Sequence, residues 1–315
     1  MKSNDDLKPS VEILMSVYKP NIEFLKEQLE SINNQDYPNL RLLIHNDCPE
    51  EKLNQMLIQK TCKDIDVEIL PEIGVNLGYT KAFERLVAKS KAEFIAYCDQ
   101  DDVWFPNKIA KMVHTIIEDG SLLAVSEREI IDGEGRVLKE KARLGSKKSW
   151  DKWVTGDDIF IKTTVVSYAV GMAMLVNGSF ARSIVPFSSN TGHDKWTIIC
   201  AAAEGTVSFI DKPLVKYRRH GANVSGTLTG INSKVDYYEK RVIPFYKLIE
   251  DIETRYPFHS DIDKLKKIAE ARIQHKIIDL FRNIKICPEV ISFDIFVALF
   301  PKPLFQLVLK LVRHI

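Results

Sequence analysis

Short apolar runs alternate with amphipathic stretches from residue 11 to about residue 127, and this alternation restricts the fold more than any other feature of the chain. Val11-Glu12-Ile13-Leu14-Met15-Ser16-Val17 reads as a strand, and after Lys19-Pro20-Asn21 the residues Ile22, Leu25, Leu29 and Ile32 recur at helical spacing. The pattern repeats with a strand at 40–44 and a helix at 53–58, a strand at 67–70 and a helix at 79–90, then a strand at 94–98. Such repeats predict an α/β chain whose sheet is mainly parallel, joined by right-handed crossovers and covered by helices. At 315 residues and 45% hydrophobic content, the chain has room for one such domain and an appendage.

The fourth strand ends abruptly in acid. Phe94-Ile95-Ala96-Tyr97-Cys98 runs into Asp99-Gln100-Asp101-Asp102-Val103-Trp104, which carries three carboxylates within four residues. A strand buried in a parallel sheet delivers its last residues to the crevice beyond the carboxyl edge, where open α/β sheets bind ligands. Asp99 and Asp101 placed there can offer oxygens to Mn2+ or Mg2+, ions that take few protein carboxylates and complete their shell with water and phosphate. A competing explanation is that Asp101 or Asp102 caps a helix opening near Pro106.

A net charge of +1 argues against a general nucleic-acid-binding protein, which would be strongly basic. The five cysteines lack CxxC spacing, so they suggest neither a zinc site nor a disulfide framework, and a cytoplasmic setting is expected. The polar, acidic opening Met1-Lys2-Ser3-Asn4-Asp5-Asp6 does not read as a secretory leader, and no apolar run reaches the ~20 residues of a membrane-spanning helix. The turn Asp132-Gly133-Glu134-Gly135 and the cationic run at 139–148 read as a lid or a solvated loop. Beyond Gly226 the composition is helical, with amphipathic stretches near 235–254 and 264–282, so a main domain at 1–230 and a helical extension at 231–315 are expected.

Six signatures stand in order along the chain: Ser16-Val17-Tyr18-Lys19-Pro20, His45-Asn46-Asp47-Cys48, Asn76-Leu77-Gly78, the acid cluster, Gly192-His193-Asp194-Lys195-Trp196, and Tyr217-Arg218-Arg219-His220-Gly221-Ala222-Asn223. Over roughly residues 11–225 this set resembles the family 2 glycosyltransferases with the GT-A fold, and among them the bacterial rhamnosyltransferase-like members. The resemblance implies a nucleotide diphosphate sugar donor and a metal site. Asp101 would be its first ligand, Asp99 would contact the ribose or the metal's water shell, Asp102 would lie beside the sugar or support the site, and His220 would meet metal or diphosphate. Tyr18 would flank the base while Asn46 or Asp47 reads its imide edge, although Asn46 departs from the family's frequent paired aspartates. Gly171-Met172-Ala173-Met174 resembles the segment flanking the acceptor, where a glycine lets a sugar approach the backbone.

Gly74-Val75-Asn76-Leu77-Gly78 lacks the spacing of a dinucleotide fingerprint, and Asn76 and Gly78 instead suit a turn that brings Lys81 toward the diphosphate, with a solvent-facing Lys81 on the helix as the alternative. Arg218 and Arg219 can neutralise phosphate oxygens or position the loop ending near Gly226. Inversion at the sugar carbon needs a base for the acceptor hydroxyl, for which Asp194 is the candidate, with a helix N-cap as the alternative role. Trp150, Trp153 and Trp196 either stack on sugar faces or pack in the core.

The expected activity is metal-dependent, inverting transfer of a sugar to a bacterial polysaccharide or lipid-linked glycan. dTDP-rhamnose is the first donor to consider, with a UDP-hexose or UDP-N-acetylhexosamine as alternatives. Two other classes remain: a metal-dependent phosphohydrolase, against which the first strand's ending in Ser16-Val17-Tyr18 argues, and a catalytically silent nucleotide-sugar-binding module. At 304–315, Leu304, Leu307, Val308, Leu311 and Ile315 share one helical face, with Lys302, Gln306, Lys310 and Arg313 opposite. That helix suits the inner face of the cell membrane, the protein's own core or a homo-oligomer interface.

Overall fold

The computed structural model describes residues 8–142, 153–167, 169–221, 228 and 230–313. The chain forms two compact units, Met1–Asp158 with Ala169–Phe187 and Gly192–His220, and Ile159–Tyr168 with Ser188–Thr191 and Gly221–Ile315.

The first unit begins with the alternation that the sequence predicts: β1 (Val11–Val17), α1 (Ile22–Asn33), β2 (Leu40–Asn46), α2 (Gln55–Thr61), β3 (Asp66–Ile69), α3 (Tyr79–Lys89) and β4 (Phe94–Cys98). It continues with β5 (Val103–Trp104), α4 (Lys108–Asp119), β6 (Leu123–Ile131), β7 (Val137–Lys139), a 3-10 turn at Gly171–Ala173, β8 (Met174–Asn177), α6 (Gly178–Ser183), α7 (His193–Glu204) and β9 (Val207–Arg218), while α5 (Phe160–Val165) belongs to the second unit. Among the described residues the sheet has nine strands in the order β3-β2-β1-β4-β8-β6-β9-β5, with β7 beside β6. The run β3-β2-β1-β4 is parallel throughout, and β6 pairs parallel with β9. Antiparallel pairing enters through β8, β5 and β7.

Ile13, Leu14 and Met15 of β1 are fully buried on both faces, as in a strand covered by helices on each side. The chain leaves β1 for β2 and β3 on one side and returns to β4 on the other, so strand order reverses between β1 and β4. Ligands of open α/β sheets bind at such a reversal, outside the carboxyl ends. Those ends are Val17 of β1, Asn46 of β2 and Cys98 of β4, each followed by a signature residue: Tyr18, Asp47 and Asp99.

The second unit is helical after residue 233, with α8 (Lys234–Tyr237), a π-helical turn at Tyr238–Val242, α9 (Ile243–Arg255), α10 (Ile262–Ile273), α11 (Ile277–Arg282), α12 (Pro288–Leu299) and α13 (Lys302–Arg313). The amphipathic stretch at 264–282 is broken where His275 takes a left-handed conformation (φ 54) and bonds Tyr238 Oη at 2.6 Å, so α10 and α11 are separate. Arg272 and Asp294 form an ion pair at 2.8 Å deep in this unit, joined by Tyr237 Oη donating to Asp294 at 2.6 Å and by the Phe245 ring under the guanidinium. Phe305 and Leu309 of α13 enter the same unit's core with Ile231, Tyr237, Val242 and Val297, whereas Leu307 is exposed. The buried face of α13 is therefore offset from the stripe expected at 304–315. No helix among the described residues is long and apolar enough to cross a membrane.

Candidate active site

The described signature residues up to His220 lie in the first unit, and Gly221 opens the last segment of the second. At the β1–β4 reversal, Gln100 clamps the backbone of Tyr18: Tyr18 N donates to Gln100 Oε1 at 2.9 Å and Gln100 Nε2 donates to Tyr18 O at 3.0 Å. The Tyr18 ring is left half exposed over the crevice.

At the end of β2 the two candidate base readers have different employment. Asn46 closes an Asx turn, accepting from Cys48 N at 3.1 Å and donating to Glu51 O at 2.7 Å. Asp47 is buried and organises the 74–78 loop, accepting from Leu77 N at 2.7 Å while Asn76 Nδ2 donates to its backbone oxygen at 2.7 Å and to Oδ2 at 3.1 Å. Gly78 caps α3 with φ 74 and ψ 153, a conformation that side chains disfavour. Lys81 is bonded to Glu84 one turn along α3, at 2.8 and 2.9 Å, with its side chain partly exposed.

The acid segment leaves β4 and is held from behind. Asp102 is fully buried; Oδ1 accepts from Arg218 N at 3.0 Å and Oδ2 has no partner among the described residues. Burial, reinforced by the charges of Asp99 and Asp101, raises its pKa well above the carboxylate range. The helix that opens after Pro106 takes Asn107 as its N-cap residue, so neither Asp101 nor Asp102 caps it. Asp99 is pushed up to about 7, first by burial, then by the negative charges of Asp101 and Asp194. That last contribution puts Asp194 within electrostatic reach of the cluster.

Arg218, expected to face phosphate, is turned inward and only 1% exposed. Its Nε donates to Asp101 O at 3.0 Å and Nη1 to Gly133 O at 3.1 Å, Nη2 bonds Glu27, and the guanidinium lies 4.4 Å from the Phe24 centroid. It fastens the acid segment in place. Arg219 is exposed, with its amide tied to Ile131 O at 2.8 Å.

His220 and Asp101 meet directly, Nε2 to Oδ2 at 2.7 Å, each with about a fifth of its side chain exposed. Among the described residues no three His, Cys, Asp or Glu side chains form a closed cage. A carboxylate and an imidazole at the crevice, with Asp99 two residues away, nevertheless fit Mn2+ or Mg2+, which draws its remaining ligands from water and phosphate oxygens.

Asp194 is the second residue of α7, whose N-cap is Gly192 and which starts three residues before Trp196; the Asp N-cap alternative is thereby replaced. Its Oδ1 accepts from Lys195 N at 2.7 Å. The preceding His193 is buried with neither ring nitrogen bonded among the described residues, stacked on Phe83 at 3.9 Å and edge-on to Tyr97 at 4.8 Å. Burial lowers its pKa to about 4 against the opposing pull of Asp194. The space that a side chain at Gly171 would take is filled by this ring, since a Cβ there would sit 2.8 Å from His193 Nε2. Gly171 thus admits a histidine of the same chain, where a sugar was expected to approach.

Trp196 donates Nε1 to Ile184 O at 3.0 Å inside the core and Trp153 packs on Phe209, so both are packing residues. Trp150, the rest of the cationic run beyond residue 142, and Ala222 and Asn223 lie outside the described residues.

Lys108 had escaped notice. It is fully buried, its Nζ donates to Met172 O at 2.6 Å and sits 3.3 Å from the Trp104 ring centroid, and burial lowers its pKa to about 7. Its sequence signal is a cation at 108 on the stripe of Met112 and Ile116, i, i+4 and i+8 along an otherwise apolar face.

A helix-covered sheet with clustered acids at its point of reversal defines an α/β protein built to bind a charged ligand beyond its carboxyl edge. The family model for glycosyl transferase family 2 matches residues 12–182, and the chain belongs to that family. It is 25% identical to an uncharacterized glycosyltransferase of Nostoc sp., with 84% of this chain and 82% of that protein covered. It is 26% identical, over 68% of its length, to an uncharacterized glycosyltransferase of Rickettsia bellii, and that match spans 29% of the Rickettsia protein. A putative teichuronic acid biosynthesis glycosyltransferase of Bacillus subtilis is 23% identical over 46% of this chain and 56% of its own. Among solved structures, S. aureus TarS 1-349 in complex with UDP-GlcNAc superposes with a TM-score of 0.56 at 15% identity, covering 91% of this chain and 84% of that one. That likeness confirms the GT-A-like fold.

Proposed function

We propose that this family 2 glycosyltransferase is metal-dependent and inverting, moving a sugar from a nucleotide diphosphate donor to a bacterial polysaccharide or lipid-linked glycan, with residues 1–230 as the catalytic domain and 231–315 as a helical extension. The observation that carries this reading is the convergence of Asp99, Asp101 and His220 at the strand-order reversal with Asp194 close enough for its charge to act on Asp99.

Asp101 and His220, with Asp99 beside them, would hold Mn2+ or Mg2+, which as a Lewis acid stabilises the charge left on the departing diphosphate. Tyr18 lies along one wall for the base, and Asp47 fixes the 74–78 loop on the other. Asp194 uses Oδ1 on Lys195 N, leaving Oδ2 to take the proton of an acceptor hydroxyl as that oxygen attacks the anomeric carbon opposite the breaking carbon–oxygen bond. The amides of the first turn of α7 favour the anionic base before it accepts the proton. Arg219, the exposed cation beyond β9, would meet the diphosphate.

For the donor, dTDP-rhamnose and UDP-N-acetylglucosamine are the first pair to compare, because thymine and uracil present the same imide edge; the second is the nucleotide sugar in the TarS complex. A lipid-linked acceptor would accord with peripheral attachment through residues 304–315.

The test is transfer from each nucleotide sugar with and without Mn2+. Asp101→Ala is expected to remove both turnover and the metal dependence of nucleotide binding, and Asp194→Asn to bind donor normally while transfer falls about 10²-fold or more. Near-normal metal-dependent transfer by Asp101→Ala would refute the metal assignment, and a small loss in Asp194→Asn would send the search for a base elsewhere.

A further inference from the structure

An unbroken line of packed groups runs from the acid segment to Asp194. Lys108 opens α4 directly behind that segment, lying against Trp104 and donating to Met172 O at 2.6 Å. Met172 is the middle residue of the turn Gly171–Ala173. The opposite side of that turn presses on α7, because a Cβ at Gly171 would stand 2.8 Å from His193 Nε2 and 3.5 Å from Tyr97 Cβ. The His193 ring has no room to yield, being stacked on Phe83, and its backbone oxygen is held by Thr197 Oγ1 at 2.7 Å. Asp194 is the next residue.

From this we infer that Lys108 is a positioning residue: by anchoring the turn Gly171–Ala173 it sets where Asp194 stands relative to the acids at the end of β4. A requirement for core volume alone would be met by methionine, which fills similar space without burying an ammonium. A lysine adds a directed bond to one carbonyl. That bond ties two segments 64 residues apart in sequence. The inference rests on Asp194 acting as base, since misplacing a reacting group by about 1 Å costs on the order of 10²-fold in rate.

The experiment uses the full chain with Lys108→Met, Gly171→Ala and the double variant. Each single variant is expected to lower kcat by about tenfold or more with the donor KM and nucleotide affinity within about twofold of the parent. The double variant should lose little beyond the worse single, because both relax the same line. Amide hydrogen exchange at 193–197, which needs no substrate, should quicken in Lys108→Met while its melting temperature is unchanged or raised. Unchanged kcat in both variants, a rise in donor KM with kcat intact, independent losses that multiply, or unaltered exchange at 193–197 would each overturn the inference. If Lys108→Met does not fold, Gly171→Ala decides by the same kcat and exchange criteria. Failure of the parent chain to transfer from any donor would count against the functional reading, whereas the exchange measurement judges Lys108 independently.

Discussion

His193 shows most clearly what burial does to a single group. An imidazole held at a pKa of about 4 stays neutral in the folded chain between pH 4 and 6.5, while in the unfolded chain it takes up a proton over the same range. The unfolded state then binds more protons, so this residue's contribution to stability falls as pH drops through that window. Asp99, raised to about 7, acts with the opposite sign, because its protonated form is favoured by folding and stability falls as pH rises from about 4 to 7. A comparison of variants separates the two. His193→Phe, keeping an aromatic ring against Phe83, should lose about 2 kcal/mol less stability than the parent between pH 7 and pH 5, measured by urea unfolding at each pH. Equal losses in both proteins would mean that His193 is protonated where it lies. At this scale the acids stand out in the sequence because three carboxylates within four residues exceed what a turn or a helix cap needs, and Asp194 and His220 because they stand in ordered signatures that resemble a known family. For Arg218 the sequence leaves phosphate contact and loop positioning equally open, because composition says nothing about direction; only the fold turns its guanidinium toward Glu27 and the Asp101 and Gly133 carbonyls. Lys108 was missed for a similar reason, a buried ammonium being costly enough that lysine is ordinarily taken as solvated.

Between β3 and α3 the chain depends on a glycine for its geometry. Gly78 has φ 74 and ψ 153, and nothing within 4 Å would obstruct a side chain, so the cost of a substitution there is conformational alone. Gly78→Ala should lose about 2 kcal/mol and loosen the Asn76 and Leu77 bonds to Asp47, detectable as lower stability in urea and weaker nucleotide binding together. A neutral effect on both would show that the loop can be rebuilt without the left-handed residue. The parallel half of the sheet was legible because its strands are continuous apolar runs separated by helical periods. β5 and β7, of two and three residues, are too short to carry a period, and β8 takes its direction from pairing with β4 and β6. The split between α10 and α11 was hidden for another reason: a histidine enters the left-handed region only occasionally, and the bond of His275 to Tyr238 comes from the tertiary fold.

At the scale of the whole molecule, the open matter is how a transferase of this kind meets its acceptor, and the amphipathic end of the chain bears on it. Helical spacing foretold the apolar character of α13 but not which stripe would be buried. Phe305 and Leu309 are committed to the second unit's core, so removing the helix would damage that unit and could not isolate a surface effect. Leu299, Phe300 and Leu307 are exposed apolar side chains among the described residues at the end of α12 and in α13, and Lys302 lies in sequence between them. Apolar groups flanked by a cation suit the headgroup region of an anionic bilayer, where buried area and charge attraction add. The full chain is therefore expected to sediment with phosphatidylglycerol vesicles at low salt and to be released as salt is raised. The variant Leu299→Gln with Leu307→Gln should remain in the supernatant, with the parent's melting temperature and undiminished transfer to a soluble acceptor, because neither residue is buried. If the parent chain stays in the supernatant at low salt, membrane attachment fails. If the variant sediments like the parent, the contact lies on another surface, and the exposed residues Ile278 and Phe281 of α11 become the next to change.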